Sequence, residues 1–287
     1  MANALVLLRR VWQPEMERTV SPFAFAKRPD GNSCSYRDGG TNWSIPKCCS
    51  SSFAHRVDLH KWTQLDGSGV ALFVPKPFNV GHVHLVEPLS VAAFVAAIYD
   101  WRRSALLADE RPSGFVLDIG MNAGLYTWLA SAIAPELRVI GVDMQPLCVM
   151  VAECGLRLAN RRRQEGALPA NVTLLQRYVS SSGDDPTVSV PGDQCEVMAS
   201  PSETGGTRAD LKQNLEARKS KMLPIRPLAL GQHLLKHFGG NSQRAAVVKI
   251  DTEGFETRVL ESLRPARGTC SVISYLSCRW MHGRTMA

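Results

Sequence analysis

Asp118, Gly120, Asn122 and Gly124 fall in the stretch VLDIGMNAGLYT, residues 116–127, where an apolar run breaks into a glycine-bracketed turn and a helical pattern follows. Glycine lets the backbone pass close to a ligand, and the helix after it aims its free N–H groups at the same point. A nicotinamide dinucleotide asks for G-x-G-x-x-G, in which the second glycine admits the pyrophosphate and the third packs helix on strand. Counted from Gly120, those two places hold Asn122 and Leu125. Asp118 sets a carboxylate beside the turn, which repels pyrophosphate and suits a cationic ligand. The ammonium and sulfonium of S-adenosylmethionine are such groups. A nicotinamide-dependent oxidoreductase is the weaker reading of this turn.

Further acids follow the other apolar runs. Asp143 closes LRVIGVDM (137–144), 25 residues after Asp118, where a strand-end carboxylate accepts hydrogen bonds from ribose hydroxyls. The alternative is a strand-end aspartate that caps the next turn. Asp251, Glu253 and Glu256 follow AAVVKI (245–250). A carboxylate there can take the proton of a hydroxyl acceptor as general base, with Glu253 or Asp251 favoured. Glu253 and Glu256 also suit the first turn of a helix, where acids meet the positive end of the dipole. Lys249 sits inside an apolar run, so it must find a charge partner or bring its ammonium to the surface. His233 and His237 stand one helical turn apart but lack the central glutamate and a third ligand. They read as dipole partners on a wet helix face, and no metal is expected.

These residues need elements to position them. After Pro112 the pattern alternates: strand 114–120, helix 123–134, strand 137–144, helix 147–160, strand 171–179. A polar insertion spans about 180–224, with a helical look over 207–221. An approach strand and helix (225–240), a strand (245–254), a helix (255–263) and a strand (270–278) complete the series. Such βα alternation predicts an α/β fold with a doubly wound, mostly parallel sheet covered on both faces. In such a sheet ligands bind beyond the carboxyl ends of the strands, where the acids fall. Upstream, 88–108 reads as a helix and 69–78 as a β-run, while 1–67 reads as an irregular extension and 68–287 as the domain proper.

The totals bound the function. The chain has 287 residues, 45% of them hydrophobic, and a net charge of +7 carried by scattered basic residues, which reads as a solvated surface rather than a nucleic-acid face. No run reaches the ~18 apolar residues of a membrane span. The first residues, with Arg9 and Arg10 behind a short apolar run, do not read as a secretory signal. Eight cysteines without paired C-x-x-C clusters fit neither a disulfide scaffold nor a zinc site, so a reducing, cytoplasmic setting is the default. Cys34, Cys48 and Cys49 are the group open to pairing or metal binding, and the sequons at Asn42 and Asn171 say little by themselves.

The blocks FVLDIGMNAGLYT, VIGVDMQP and VVKIDTEGFETRVLESL, in this order and spacing, resemble the FkbM family of S-adenosylmethionine-dependent methyltransferases, with Met121 where the family usually has alanine. The resemblance covers about residues 85–265. It implies a Rossmann-like class I methyltransferase fold and methyl transfer to an oxygen of a sugar, lipid or other small molecule. By motif, Asp118, Gly120, Asn122 and Gly124 fall on the methionine side of the donor, Asp143 on its ribose, and Lys249, Asp251, Glu253 and Glu256 on the block facing the reaction centre. The family's sheet has further strands after the one matching CSVISYLSC (270–278), and an acid there where this chain has Ser274 and Tyr275. The expectation is a sheet lacking its last strands, with donor binding better preserved than catalysis. A catalytically inactive, donor-binding module is the second reading.

Overall fold

The computed structural model describes residues 26–27, 34–36, 41–43, 48, 57–63, 69–75, 80–108, 114–160, 168–192, 195, 222–238, 244–252, 255–264 and 275–276. The first strands, β1 (Ala26–Lys27), β2 (Cys34–Tyr36) and β3 (Thr41–Trp43), pair antiparallel in that order. Next, β4 (Val57–Thr63) and β5 (Gly69–Pro75) form an antiparallel hairpin with Val57 opposite Pro75 and Thr63 opposite Gly69. The expected boundary at residue 67 lies outside the described residues, between these two strands. Helix α1 (Val80–Leu107) follows.

The alternating part of the chain then gives β6 (Gly114–Ile119), α2 (Leu125–Ile133), β7 (Arg138–Asp143), α3 (Pro146–Ala159) and β8 (Val172–Gln176). The strand expected over 171–179 divides here. The Arg177 N–H donates to the Asp143 carbonyl at 3.0 Å, and β9 (Tyr178–Ser180) leaves the main sheet. Strands β10 (Val188–Pro191) and β11 (Met222–Ile225) form an antiparallel ribbon, and β12 (Pro227–Ala229) pairs parallel with β9. Helix α4 (Leu230–Phe238), β13 (Arg244–Ile250), α5 (Glu256–Leu263) and the short β14 (Tyr275–Leu276) complete the order. The helix expected over 207–221, and most of the strand expected over 270–278, lie outside the described residues.

The central sheet has the order β14-β13-β6-β7-β8, and every pairing in it is parallel. This is the α/β architecture with a parallel core that the alternation predicts, and its strand order is compatible with a Rossmann-like fold. Both faces are covered, so β6 is buried along its whole length. Val116 and Val139 pack on one face with Phe94, Ile98, Tyr126 and Leu129 of α1 and α2. Phe115, Leu117 and Ile119 pack on the other with Leu230, Leu234, Val259 and Leu263 of α4 and α5. Those two outer helices are also joined by a hydrogen bond, because the Leu230 N–H donates to Ser262 Oγ at 2.9 Å.

β13 carries an irregularity that matters for the site. Its register against β6 slips between Ala245 and Val247, a β-bulge. Ala246 and Val247 consequently both face the α1 and α2 side, and Val248 and Ile250 the other. Side chains alternate with a period of two, so one extra residue inverts the facing of everything after it. Lys249 is thereby opposite Asp118 in register and on the same face.

Candidate functional site

The turn after β6 is held in a left-handed conformation at three places: Gly120 (φ 72°), Asn122 (φ 50°) and Gly124 (φ 83°). Asparagine is among the few side chains that accept this region. The glycines are needed for a reason the sequence does not reveal. A Cβ on Gly120 would lie 1.9 Å from the Asp251 carbonyl oxygen, and one on Gly124 would lie 2.8 Å from Ala152 Cβ of α3. Close approach of protein to protein, rather than of ligand to backbone, fixes both. Met121 is fitted similarly. It is buried, and its sulfur lies over Gly141, where a Cβ would come within 2.6 Å of it.

Asp118 lies beneath this turn. It is fully buried, and its Oδ2 accepts from the Thr127 N–H at 3.0 Å and the Thr127 hydroxyl at 2.7 Å, which ties the first turn of α2 to β6. Its Oδ1 faces Lys249 Nζ at 3.1 Å. Lys249 Nζ also donates to the Gly120 carbonyl at 2.7 Å, lies 3.8 Å from Asp251 Oδ2 and sits 5.0 Å from the centre of the Tyr126 ring. The buried lysine is therefore a peg under the turn, joining β6, β13 and α2. The position expected to meet a cationic ligand is filled by this internal cation, so Asp118 does not line the cavity.

A cavity of about 310 Å³ opens beyond the carboxyl ends of β6, β7 and β13. That is the low end of the ~300–1,000 Å³ typical of small-molecule sites. Gly120, Asn122, Asp143, Asp251, Thr252 and Phe255 are among the residues that line it. Asp143 accepts the Asn122 N–H at 3.0 Å on one oxygen and the Gln145 N–H at 2.8 Å on the other. Burial pushes its pKa up, opposed by those two backbone hydrogen bonds and by the charge of Lys249. Each carboxylate oxygen has a second lone pair to offer a ligand. Asp251 is also raised, chiefly by burial and further by the charges of Asp118 and Glu256, with Lys249 acting against them.

Of the residues expected at the site, the structure brings Gly120, Asn122, Asp143 and Asp251 to the cavity wall, while Asp118, Gly124 and Lys249 support it from beneath. Glu256 is not on the wall. It sits in the first turn of α5, and its Oε1 accepts from the Thr252 N–H at 3.2 Å and the Thr252 hydroxyl at 3.4 Å. Glu253 lies outside the described residues. Sequence reasoning missed Gln145, Arg177, Tyr178, Phe255 and Arg258, all on the wall. Gln145 and Arg177 each lie just past a strand end, which was the available signal, and the Arg258 guanidinium stacks 5.7 Å from the Phe255 ring centre. Val188, Ser189 and Val190 of β10 reach the cavity from the polar insertion, which carried no pattern to predict it.

The cysteines overturn an expectation. Cys48 is bridged to Cys154 of α3, and Cys148 of the same helix is bridged to Cys195. These four are paired as cystines, where the sequence singled out only Cys34, Cys48 and Cys49 as open to pairing. The spacing could not reveal it, because the bridges span 106 and 47 residues. The rings of His233 and His237 lie 4.4 Å apart, and His233 is held below its usual pKa mainly by partial burial and then by the His237, Lys236 and Arg177 charges. Among the described residues no group of three side chains is arranged to hold a metal, and no helix is long and apolar enough to cross a membrane.

An α/β protein with a parallel sheet and a ligand-sized cavity at its carboxyl edge is the class that fold and site define. No family model matches the chain, and no curated protein is significantly similar to it.

Proposed function

We propose that the chain is an S-adenosylmethionine-dependent methyltransferase acting on a hydroxyl of a sugar, lipid or other small molecule. The observation that carries this reading is the convergence of Gly120, Asn122, Asp143 and Asp251 on one cavity at the carboxyl edge of a parallel sheet. The residues fit such a donor. On this reading Asp143, whose oxygens each accept one backbone N–H, would use their second lone pairs for ribose hydroxyls, and Asp251, which lines the same cavity, would meet the acceptor. The bound donor supplies an electrophilic methyl on a sulfonium. The chain's part is to align the acceptor oxygen with that methyl, exclude water, and take the hydroxyl proton on Asp251 as the new C–O bond forms. The substituents at Asn122 and Leu125 argue against a nicotinamide dinucleotide.

A donor-binding module without turnover is the second reading, favoured by one observation. Among the described residues Asp251 is the candidate base on the cavity wall, and it lies 3.8 Å from Lys249 Nζ, while Glu256 accepts from Thr252. The two bridges favour folding in an oxidising compartment over the cytoplasmic default of the composition. The test is calorimetry with S-adenosylhomocysteine, followed by transfer of labelled methyl to pooled sugar, lipid and phenol acceptors. Binding with transfer supports the enzyme, binding without transfer the module. No heat on folded protein overturns both.

A further inference from the structure

One part of the cavity lining, that supplied by β10, is followed in the chain by a cysteine bonded to another lining residue. Cys148 is the third residue of α3 and lines the cavity. Its partner Cys195 lies just after β10, the strand that brings Val188, Ser189 and Val190 to the same cavity. The Cys195 sulfur rests 3.3 Å from Asn122 Oδ1, on the turn after β6, and the Cys148 sulfur 3.9 Å from Gln145 Oε1. Among the described residues the β10–β11 ribbon pairs only with itself, outside the five-stranded sheet. One disulfide therefore stitches the ribbon to the start of α3 and holds its sulfur against Asn122.

We propose that Cys148–Cys195 is a thiol–disulfide exchange site whose oxidised state closes the cavity wall and whose reduction by a dithiol opens it. The two bridges differ in the way this requires. Cys48 and Cys154 are fully buried away from the cavity wall, whereas Cys148 and Cys195 retain slight exposure and Cys148 borders the cavity. The chemistry balances without another reactant. A thiolate of the dithiol attacks Cys195 Sγ, the protein S–S bond breaks and a mixed disulfide forms, with Cys148 leaving as thiolate. The second thiol of the dithiol then attacks its own sulfur in the mixed disulfide, releasing Cys195 and leaving the dithiol oxidised by two electrons. Cys148 is the better leaving group because it lies in the first turn of a helix, where thiolates are stabilised, and a lower thiol pKa leaves faster. Reduced, β10 keeps its pairing with β11, but the ribbon loses its covalent bond to α3, and with it the tether that holds Cys195 against Asn122.

The coupling to ligand affinity rests on the donor reading above, whereas the exchange itself does not. The experiment titrates the full-length, air-oxidised protein with dithiothreitol, traps free thiols by alkylation and maps peptides by mass. The Cys148–Cys195 peptide should be lost at lower reductant than the Cys48–Cys154 peptide, and saturating S-adenosylhomocysteine should slow that loss. Calorimetry with the same ligand should give an affinity about tenfold weaker in the selectively reduced protein, within the usual span of coupled sites, and in the C148A/C195A variant. The Cys48–Cys154 peptide is the internal check on folding and oxidation. Loss of the two peptides together, or absence of the Cys148–Cys195 peptide while the other is present, overturns the exchange site. Equal affinity in oxidised and reduced protein overturns the coupling. Absence of heat in every form overturns the donor reading and the coupling with it, and the peptide titration alone then decides the exchange site.

Discussion

At the scale of single residues, the proposed function gives the two described carboxylates on the cavity wall, Asp143 and Asp251, different work. Asp143 accepts two backbone N–H groups, so Asp143→Asn sets an amide NH2 against one of them. Hydrogen bonds to a charged group contribute about 1.5–3 kcal/mol, and S-adenosylhomocysteine affinity measured by calorimetry should fall by ~10- to 100-fold, 1.4 kcal/mol being tenfold. Asp251 should act on turnover instead. Asp251→Asn is expected to lower kcat by about 10²- to 10⁴-fold with little change in binding of the demethylated donor. As a base Asp251 works only when ionised, and burial raises its pKa. Turnover should therefore climb with pH through a limb displaced above the ordinary carboxylate range, and the variant's residual rate should lack that limb. The linkage has the same sign. A raised folded pKa adds stability below the unfolded value, and that stability is lost as pH rises through the folded pKa. Asp251→Asn should thus keep or raise the urea midpoint at neutral pH, Lys249 retaining Asp118 as its nearer partner.

At the scale of elements, the peg formed by Lys249 couples β13 to the turn after β6. Lys249→Met leaves Asp118 charged and fully buried without its cation. Stranding one member of a buried pair costs about 3–5 kcal/mol. Urea unfolding should show that loss, and the double variant Asp118→Asn with Lys249→Met should recover part of it. The elements themselves were largely legible: helix and strand spans from residue 114 to 160 and the strand over 244–250 follow directly from periodicity and apolar runs. What stood hidden was facing and partnership. Nothing in AAVVKI announces a bulge, so Lys249 could be seen to need a partner but not that the partner is Asp118. Asp118 and Glu256 were placed at the ligand because an acid beside a turn or a helix start looks the same whether it serves solvent, ligand or backbone. The glycines of the turn were recognised for conformational freedom, yet their neighbours, the Asp251 carbonyl and Ala152, come from distant parts of the chain.

At the scale of the whole molecule, α3 is where the N-terminal segment is fastened. The β4–β5 hairpin lies outside the parallel sheet and packs against α3, and Cys48 is bound to Cys154 in the same helix. Closing a loop of this length restricts the unfolded chain by roughly 4–5 kcal/mol in the chain-entropy account. The C48S/C154S variant should unfold at lower urea, and protease should reach its N-terminal segment first, as read by timed digestion and mass. Both bridges were beyond sequence reading because they depend on which helix face the turns present. Their placement has one more consequence. The loop closed by Cys48–Cys154 overlaps the loop closed by Cys148–Cys195 along α3. A single cut at any peptide bond from residue 48 to residue 195 therefore leaves one covalent molecule. Such a nicked chain runs as one band on an unreduced gel and separates into two only after thiol is added.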